Sequence, residues 1–196
     1  PITDVDAEKA RFNEALEMAI AKTQAMAEDM KTRVGEKEAE ILEGHVLLLM
    51  DPEMTGQIEN MIMAEMKRAE ACVEAVCDQF AALFASLDDE LFQQRATDVG
   101  DIKTRLLKTL LGAEDIDLAA VPEGTILVAE DLTPSMTAGI NPKNVVGVLT
   151  EIGGKTSHSA ILARALEIPA VLSIEGIVSK LENGQQVVLD GSTGVV

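Results

Sequence analysis

The chain has 196 residues and a formal charge of -18, and 47% of its residues are hydrophobic. This composition excludes a disordered tail and predicts one large domain or two small ones. The negative charge disfavours nucleic acid and anionic membranes as partners and favours a basic protein. The absence of Trp and Tyr, with only four Phe, nearly excludes a base-stacking surface.

The first 111 residues follow a helical period and predict a helical bundle or a pair of helical hairpins. Thr3 or Asp4 can cap the first helix, Gly35 stops it, and Pro52 starts a new helix because Pro is tolerated in a first turn. The four predicted helices cover approximately residues 4–34, 36–50, 52–84 and 88–112.

Composition changes sharply near Gly112, which predicts domains at residues 1–111 and 112–196. Glycines number 4 before this point and 10 from it onward, and methionines fall from 8 to 1. Both parts are acidic, with formal charges of -11 and -7. The second part predicts an α/β or α+β fold and leaves a mixed sheet open. Its predicted strands are 125–129, 145–149, 170–172 and 186–189, with a further strand at 193–196 and a helix over 157–166.

Cys72 and Cys77 lie five residues apart and share no helical face, which predicts two reduced core thiols and no metal or redox pair. The unbroken apolar runs, such as Val46 to Met50, are far shorter than a bilayer requires, so a cytoplasmic location is expected. Because the chain starts at Pro1 without an initiator Met, further parts of the protein are also expected.

The segment Gly153 to Arg164 carries the strongest chemical signal. Two glycines stand between a predicted strand and a predicted helix, and His158 falls in the first turn of that helix. The amide groups and dipole of a helix N-terminus favour an anion and disfavour imidazolium, so His158 should be neutral and able to act as a nucleophile. A histidine that merely caps the helix is the alternative; a P-loop does not fit, because the glycines are adjacent.

Residues 153–164 resemble the phosphohistidine signature of Enzyme I of the bacterial phosphoenolpyruvate-dependent sugar phosphotransferase system. Residues 129–138 and 166–171 resemble the segments on either side of that signature. In the first part, Gly35-Glu36, Glu43-Gly44-His45 and residues 98–107 resemble the helical domain of the same family. The resemblance covers essentially the whole chain.

This resemblance implies a phosphohistidine swivelling domain joined to a helical subdomain that docks the carrier protein HPr. By the resemblance, His158 is phosphorylated on Nε2, Thr137 holds the other ring nitrogen, and the phosphate lies near Gly154, Thr156 and Ser157. Matching positions imply a docking surface made of Glu36, His45, Leu47, Leu48, Asp51 and Arg95.

The resemblance also implies that an opening strand and a C-terminal barrel lie outside this chain. That barrel would bind phosphoenolpyruvate (PEP) and Mg²⁺, whereas this part of the protein is expected to need no cofactor or metal. The full-length protein is expected to be a homodimer. Two alternatives stay open: a relative among the PEP synthases, pyruvate phosphate dikinases or dihydroxyacetone phosphotransfer proteins, and a catalytically silent docking module.

Overall fold

The computed structural model describes residues 1–113 and 115–196, which form two compact units. The first unit is Pro1–Asp29 with Ala39–Asp115, and the second is Met30–Glu38 with Ile116–Val196. Compared with the predicted domains, the first unit extends past residue 111 and lacks the segment Met30–Glu38. This segment joins the second unit because the Arg33 side chain donates hydrogen bonds to main-chain carbonyls near residue 139.

The first unit is built from five helices, two of which extend into the segment Met30–Glu38. They are α1 (Val5–Arg33), α2 (Glu36–Leu49), α3 (Pro52–Glu65), α4 (Ala69–Ala85) and α5 (Glu90–Leu111). Asp4 caps α1 by accepting from Ala7 N at 2.9 Å, and Asp51 caps α3 by accepting from Glu53 N at 2.9 Å. Fully buried aliphatic side chains form its core, among them Ile58, Ile62, Val73, Val76, Ile102 and Leu106.

The predicted third helix is wrong in its length, because the structure breaks it after Glu65. Met66 takes a left-handed conformation with φ 48°, and its carbonyl accepts from Ile2 N at 2.9 Å. The new helix α4 is then capped from α1, since Glu8 Oε1 accepts from Ala69 N at 2.7 Å. No Gly or Pro marks this break, so the local sequence carried no signal of it.

Helices α4 and α5 form an antiparallel hairpin. Phe84 stacks on Phe92 near the connecting loop, and Lys103 pairs with Asp78 at 2.7 Å further along. Cys72 and Cys77 are free, buried thiols, which confirms the prediction of two core cysteines. Burial raises the pKa of the Cys77 thiol to about 12, so this group is inert at neutral pH.

The second unit contains a three-stranded sheet in the order β1-β2-β3, and both strand pairs are parallel. A helix follows each strand, and the helices after the first two strands return the chain to the next strand, as parallel pairing requires. The elements are β1 (Thr125–Ala129), α6 (Pro134–Ala138), β2 (Val145–Thr150), α7 (His158–Ala165), β3 (Ala170–Val171) and α8 (Ile177–Lys180), with a 3₁₀ turn at Leu118–Ala120. Three predicted strands and the helix before β3 are confirmed.

Two predicted strands do not form in the described residues. The segment 186–189 forms no strand, and residues 193–196 contribute only Val195, in a single antiparallel bridge with Asp190. Leu189 instead packs beside Gly147 of β2, where an added Cβ would lie 2.5 Å from its Cδ2. The apolar run 187–189 therefore places a side chain against the sheet without pairing as a strand. Sequence periodicity did not predict the short helices α6 and α8.

Candidate active site

His158 is the first residue of α7, at the carboxyl end of β2. Ser157 is the N-cap residue, and its Oγ accepts from Ala160 N at 3.3 Å. The predicted helix start and the place of His158 in the first turn are confirmed. The imidazole lies where the main-chain amides and the positive end of the helix dipole favour an anion.

Thr137 meets His158 because the two residues follow neighbouring parallel strands. Helix α6 comes after β1 and helix α7 after β2, so both begin at the same edge of the sheet. The Thr137 hydroxyl oxygen lies 2.9 Å from His158 Nε2, and Thr137 is 1% exposed. The fold therefore brings two residues that are 21 positions apart in the sequence within hydrogen-bond distance.

The direction of this hydrogen bond follows from the single hydroxyl proton of Thr137. Thr137 Oγ1 also lies 2.8 Å from the carbonyl oxygen of Pro134, which can only accept. When the hydroxyl donates to Pro134, the proton between Thr137 and the imidazole must come from Nε2. The geometry therefore favours the Nε2–H form of His158.

This contact corrects one detail that the resemblance implied. Thr137 was expected on the nitrogen opposite the phosphorylated Nε2, but the structure places its hydroxyl on Nε2 itself. The other nitrogen, Nδ1, is buried. A sequence match places a hydroxyl near a ring, whereas the side-chain torsions that decide which nitrogen it meets depend on packing. In this arrangement Nε2 reaches a phosphoryl donor only after the ring turns away from Thr137.

The glycine loop before α7 has its carbonyls turned toward the protein. Ile152 O accepts from the buried Thr150 hydroxyl at 2.6 Å, Gly153 O accepts from Ser173 Oγ, and Lys155 O accepts from Arg164 Nη2. In a trans peptide the N–H points opposite to the C=O. The amides of residues 154 and 156 therefore point away from these donors, on a stretch that is exposed to solvent.

The two glycines of the loop differ in what they require. Gly153 has φ +118°, a conformation that side chains disfavour, whereas a Cβ on Gly154 would meet no atom within 4 Å. The protein itself therefore does not crowd position 154. Thr156 is exposed, and Ser157 Oγ lies 3.0 Å from Ser159 Oγ beside the histidine.

The six predicted docking residues do not share one environment. Glu36 is exposed, Leu47 is 71% exposed, and Arg95 is exposed with its guanidinium 5.6 Å from the centre of the Phe92 ring. Leu48 is packed partly against the core, and Asp51 is the N-cap of α3. These five positions stay predictions for a partner surface.

His45 is the sixth position, and the structure corrects it, because the residue is 0% exposed. Its Nε2 lies 3.0 Å from Asp98 Oδ1, and its Nδ1 lies 3.4 Å from Arg105 Nη1. Since guanidinium only donates, Nδ1 accepts, and the Nε2–H then donates to Asp98. Arg105 also donates to Thr23, so the cluster joins α1, α2 and α5.

The sequence did contain a signal for the burial of His45. Ala39, Leu42 and Leu49 are buried on α2, and His45 stands three residues after Leu42 and four before Leu49 on the same face. Burial lowers the pKa of Arg105, and the nearby Asp101 carboxylate opposes that effect. His45 is therefore part of a buried polar network that holds helices together.

Comparison with known proteins places the chain in a family. Residues 1–95 match the family described as PEP-utilising enzyme, N-terminal, and residues 121–194 match PEP-utilising enzyme, mobile domain. A solution NMR structure of an Enzyme I protein is 37% identical, with a TM-score of 0.83, over 100% of this chain and 80% of that one. The chain belongs to the Enzyme I family.

Further relatives agree with this assignment. The N-terminal domain of a nitrogen Enzyme 1 superposes with a TM-score of 0.64 at 30% identity, covering 91% of this chain and 74% of that one. The proteins named phosphoenolpyruvate-protein phosphotransferase from Listeria innocua and Priestia megaterium are 41% and 40% identical across the whole chain. The chain spans 34% of the length of each of these two relatives.

The described residues contain neither a membrane-spanning helix nor a metal-binding cluster. Within residues 1–113 and 115–196, no helix combines the length and apolar character needed to cross a membrane. In the same residues, no group of three or more His, Cys, Asp and Glu side chains is arranged to hold a metal ion.

Proposed function

We propose that this Enzyme I family chain is a phosphoryl carrier that receives a phosphoryl group on His158 and passes it to a histidine of HPr. The observation that supports this most directly is His158 in the first turn of α7, with Nε2 2.9 Å from the Thr137 hydroxyl. The phosphoryl group would come originally from PEP, which fits the names of the curated relatives.

In the proposed reaction the imidazole first turns so that Nε2 leaves Thr137. As the ring turns, the Nε2 proton passes to water and Nδ1 takes up a proton in its place, so the imidazole stays neutral. The free lone pair of Nε2 then attacks phosphorus in line, so that a P–N bond forms while the bond to the donor breaks. With phosphorylated HPr as donor, the broken bond is the P–N bond of the carrier histidine. The helix dipole and the amides of residues 154 and 156 would offset the charge of the transferred group.

The acidic helical part suits a carrier that presents its histidine beside positive charge. Residues 1–111 carry a formal charge of -11, and Leu47 and Glu36 are exposed on α2. Opposite charge on two partners accelerates their encounter and selects against acidic competitors. We propose Glu36, Leu47, Leu48, Asp51 and Arg95 as contacts with HPr, in a cytoplasmic protein whose full-length form is a homodimer.

The proposal assigns no cofactor to this part of the protein. PEP and Mg²⁺ are assigned to a domain outside these 196 residues, and both stay predictions from the resemblance. The alternative relatives, the dikinases and PEP synthases, are expected to be similar mainly around the histidine and to take phosphoryl groups without HPr.

Incubation with phosphorylated HPr tests the proposal. The expected result is a gain of about 80 Da on the peptide that holds His158, stable at neutral pH and lost in acid. The Thr137→Ala variant should gain the label at least as fast as the wild type while keeping its thermal unfolding, because the contact that occupies Nε2 is lost. No label despite measurable HPr binding would support the silent docking module, and no binding at all would favour one of the other PEP-utilising relatives.

A further inference from the structure

The last residue of α1 reaches helix α6, more than a hundred positions later in the chain. Arg33 Nη2 donates to the carbonyl of Ala138 at 2.6 Å, and Arg33 Nη1 donates to the carbonyl of Ile140 at 3.1 Å. All three residues belong to the second unit. Ala138 and Ile140 are 4% and 2% exposed, so these carbonyls have little access to water.

Helix α6 needs support from outside, because it is a single turn of five residues. An isolated turn of this length is unstable, since nucleation fixes several residues for one hydrogen bond. Thr133 caps the N-terminus, with Pro134 as first residue, and the guanidinium of Arg33 lies at the C-terminal carbonyls. A cation at that end also complements the helix dipole.

The position of α6 determines the position of the Thr137 hydroxyl. Thr137 directly precedes Ala138, whose carbonyl Arg33 holds, and its hydroxyl lies 2.9 Å from His158 Nε2. A shift of the helix end by a fraction of its turn would remove this hydrogen bond. Arg33, Thr137 and His158 therefore form one continuous sequence of contacts.

We infer that Arg33 is a positioning residue for the phosphoryl-accepting histidine, acting through α6 and Thr137. The planar guanidinium of Arg33 donates one hydrogen bond to each of two carbonyls, and the single ammonium group of a lysine does not reproduce this geometry. The inference deepens the proposed function and rests on it for its kinetic consequence. Its structural consequence, the state of the His158 ring, is independent of phosphoryl transfer.

The test compares Arg33→Gln, Thr137→Val and the double variant in the 196-residue chain. Phosphorylated HPr is the donor, and single-turnover rates are measured over a range of its concentrations. Arg33→Gln should raise the maximal rate by about fivefold, because it weakens the hydrogen bond from Thr137 that must break before Nε2 attacks. The HPr concentration at half-maximal rate should not change. The double variant should be no faster than Thr137→Val alone.

The second readout is ¹⁵N NMR of the His158 imidazole without HPr. In the wild type the Nε2 proton should be observable and protected from exchange with water by Thr137. Arg33→Gln should speed this exchange, and Arg33→Lys, which keeps the charge, should restore part of the protection. Arg68→Gln removes an exposed arginine that pairs with Glu70 at 3.5 Å, and this matched control should change neither readout.

A lower maximal rate in Arg33→Gln, additive rate gains in the double variant, or unchanged Nε2 exchange in Arg33→Gln would overturn the inference. A global loss of fold in Arg33→Gln would shift the amide spectrum of the whole chain. In that case Arg33→Lys replaces it in the comparison with the wild type. If the wild type takes no label from HPr, the proposed function fails. The exchange measurement still decides whether Arg33 positions the ring.

Discussion

The chain contains two histidines, and the structure holds them in opposite ways. His45 is fully buried, and both of its ring nitrogens face charged side chains of α5. His158 is partly exposed at the start of a helix, where Nε2 meets a neutral hydroxyl. A ring fixed by charges on two sides serves stability, whereas a ring held by one exchangeable hydroxyl contact is able to turn and react.

The largest effect should come from removing the reactive ring. His158→Ala should abolish labelling by phosphorylated HPr, because no other side chain in the first turn of α7 offers a nucleophilic nitrogen. Its thermal unfolding should stay close to that of the wild type, since the ring is not part of either core. Mass spectrometry of the digested chain measures the label, and a retained label on another peptide would contradict the assignment.

Removing the other ring should have the opposite consequence. His45→Ala leaves Asp98 and Arg105 without their shared partner in the interior, and should lower the free energy of unfolding by about 3 kcal/mol. Urea titration followed by circular dichroism of the helices measures this loss. His45→Gln, which keeps one donor and one acceptor, is the matched control and should lose less. An unchanged transition in His45→Ala would show that the cluster contributes no net stability.

Acid should destabilise the first unit through protonation of Glu8. Arg11 lowers the pKa of this carboxylate by hydrogen bonding, and its side chain is 12% exposed. Because the folded pKa lies below the unfolded one, the stabilisation is complete above the unfolded pKa and is lost as the pH falls through the folded pKa.

The Glu8→Gln variant tests this dependence. At neutral pH it should lose about 1–2 kcal/mol of unfolding free energy, the usual contribution of a hydrogen bond to a charged group. Its stability should then fall less steeply between about pH 5 and pH 3 than that of the wild type. Parallel curves for the two proteins would remove Glu8 as the source of the acid sensitivity.

The smallest expected changes in stability come from the two glycines of the loop before α7, and they should differ between Gly153 and Gly154. Gly153→Ala forces a side chain into φ +118° and should cost about 1 kcal/mol of stability. Gly154→Ala meets no atom and should leave thermal unfolding unchanged. Slower labelling in a normally stable Gly154→Ala variant would locate the phosphoryl group close to that residue. Equal losses of stability in both variants would contradict the conformational difference.

Local patterns predicted much of the fold. Capping residues and Pro52 marked several helix starts correctly, and β-branched runs located all three strands of the sheet. The break after Glu65 was missed because a hydrogen bond from Ile2 and a cap from Glu8 impose it from a distant part of the chain. Residues 186–189 contain an apolar run typical of a strand, but Leu189 packs beside Gly147 without a pairing edge, and Val188 is 86% exposed.

The candidate site likewise combines features that local sequence determines with contacts that only tertiary packing decides. The adjacent glycines, Ser157 as a cap and His158 in the first turn are local features, so the sequence by itself determined the reactive residue and the anion-favouring helix start. Tertiary structure alone decided that Thr137 meets Nε2, that His45 is buried, and that Arg33 supports α6. The physical reason is range: capping and periodicity act within a few residues, whereas these contacts depend on how distant elements pack.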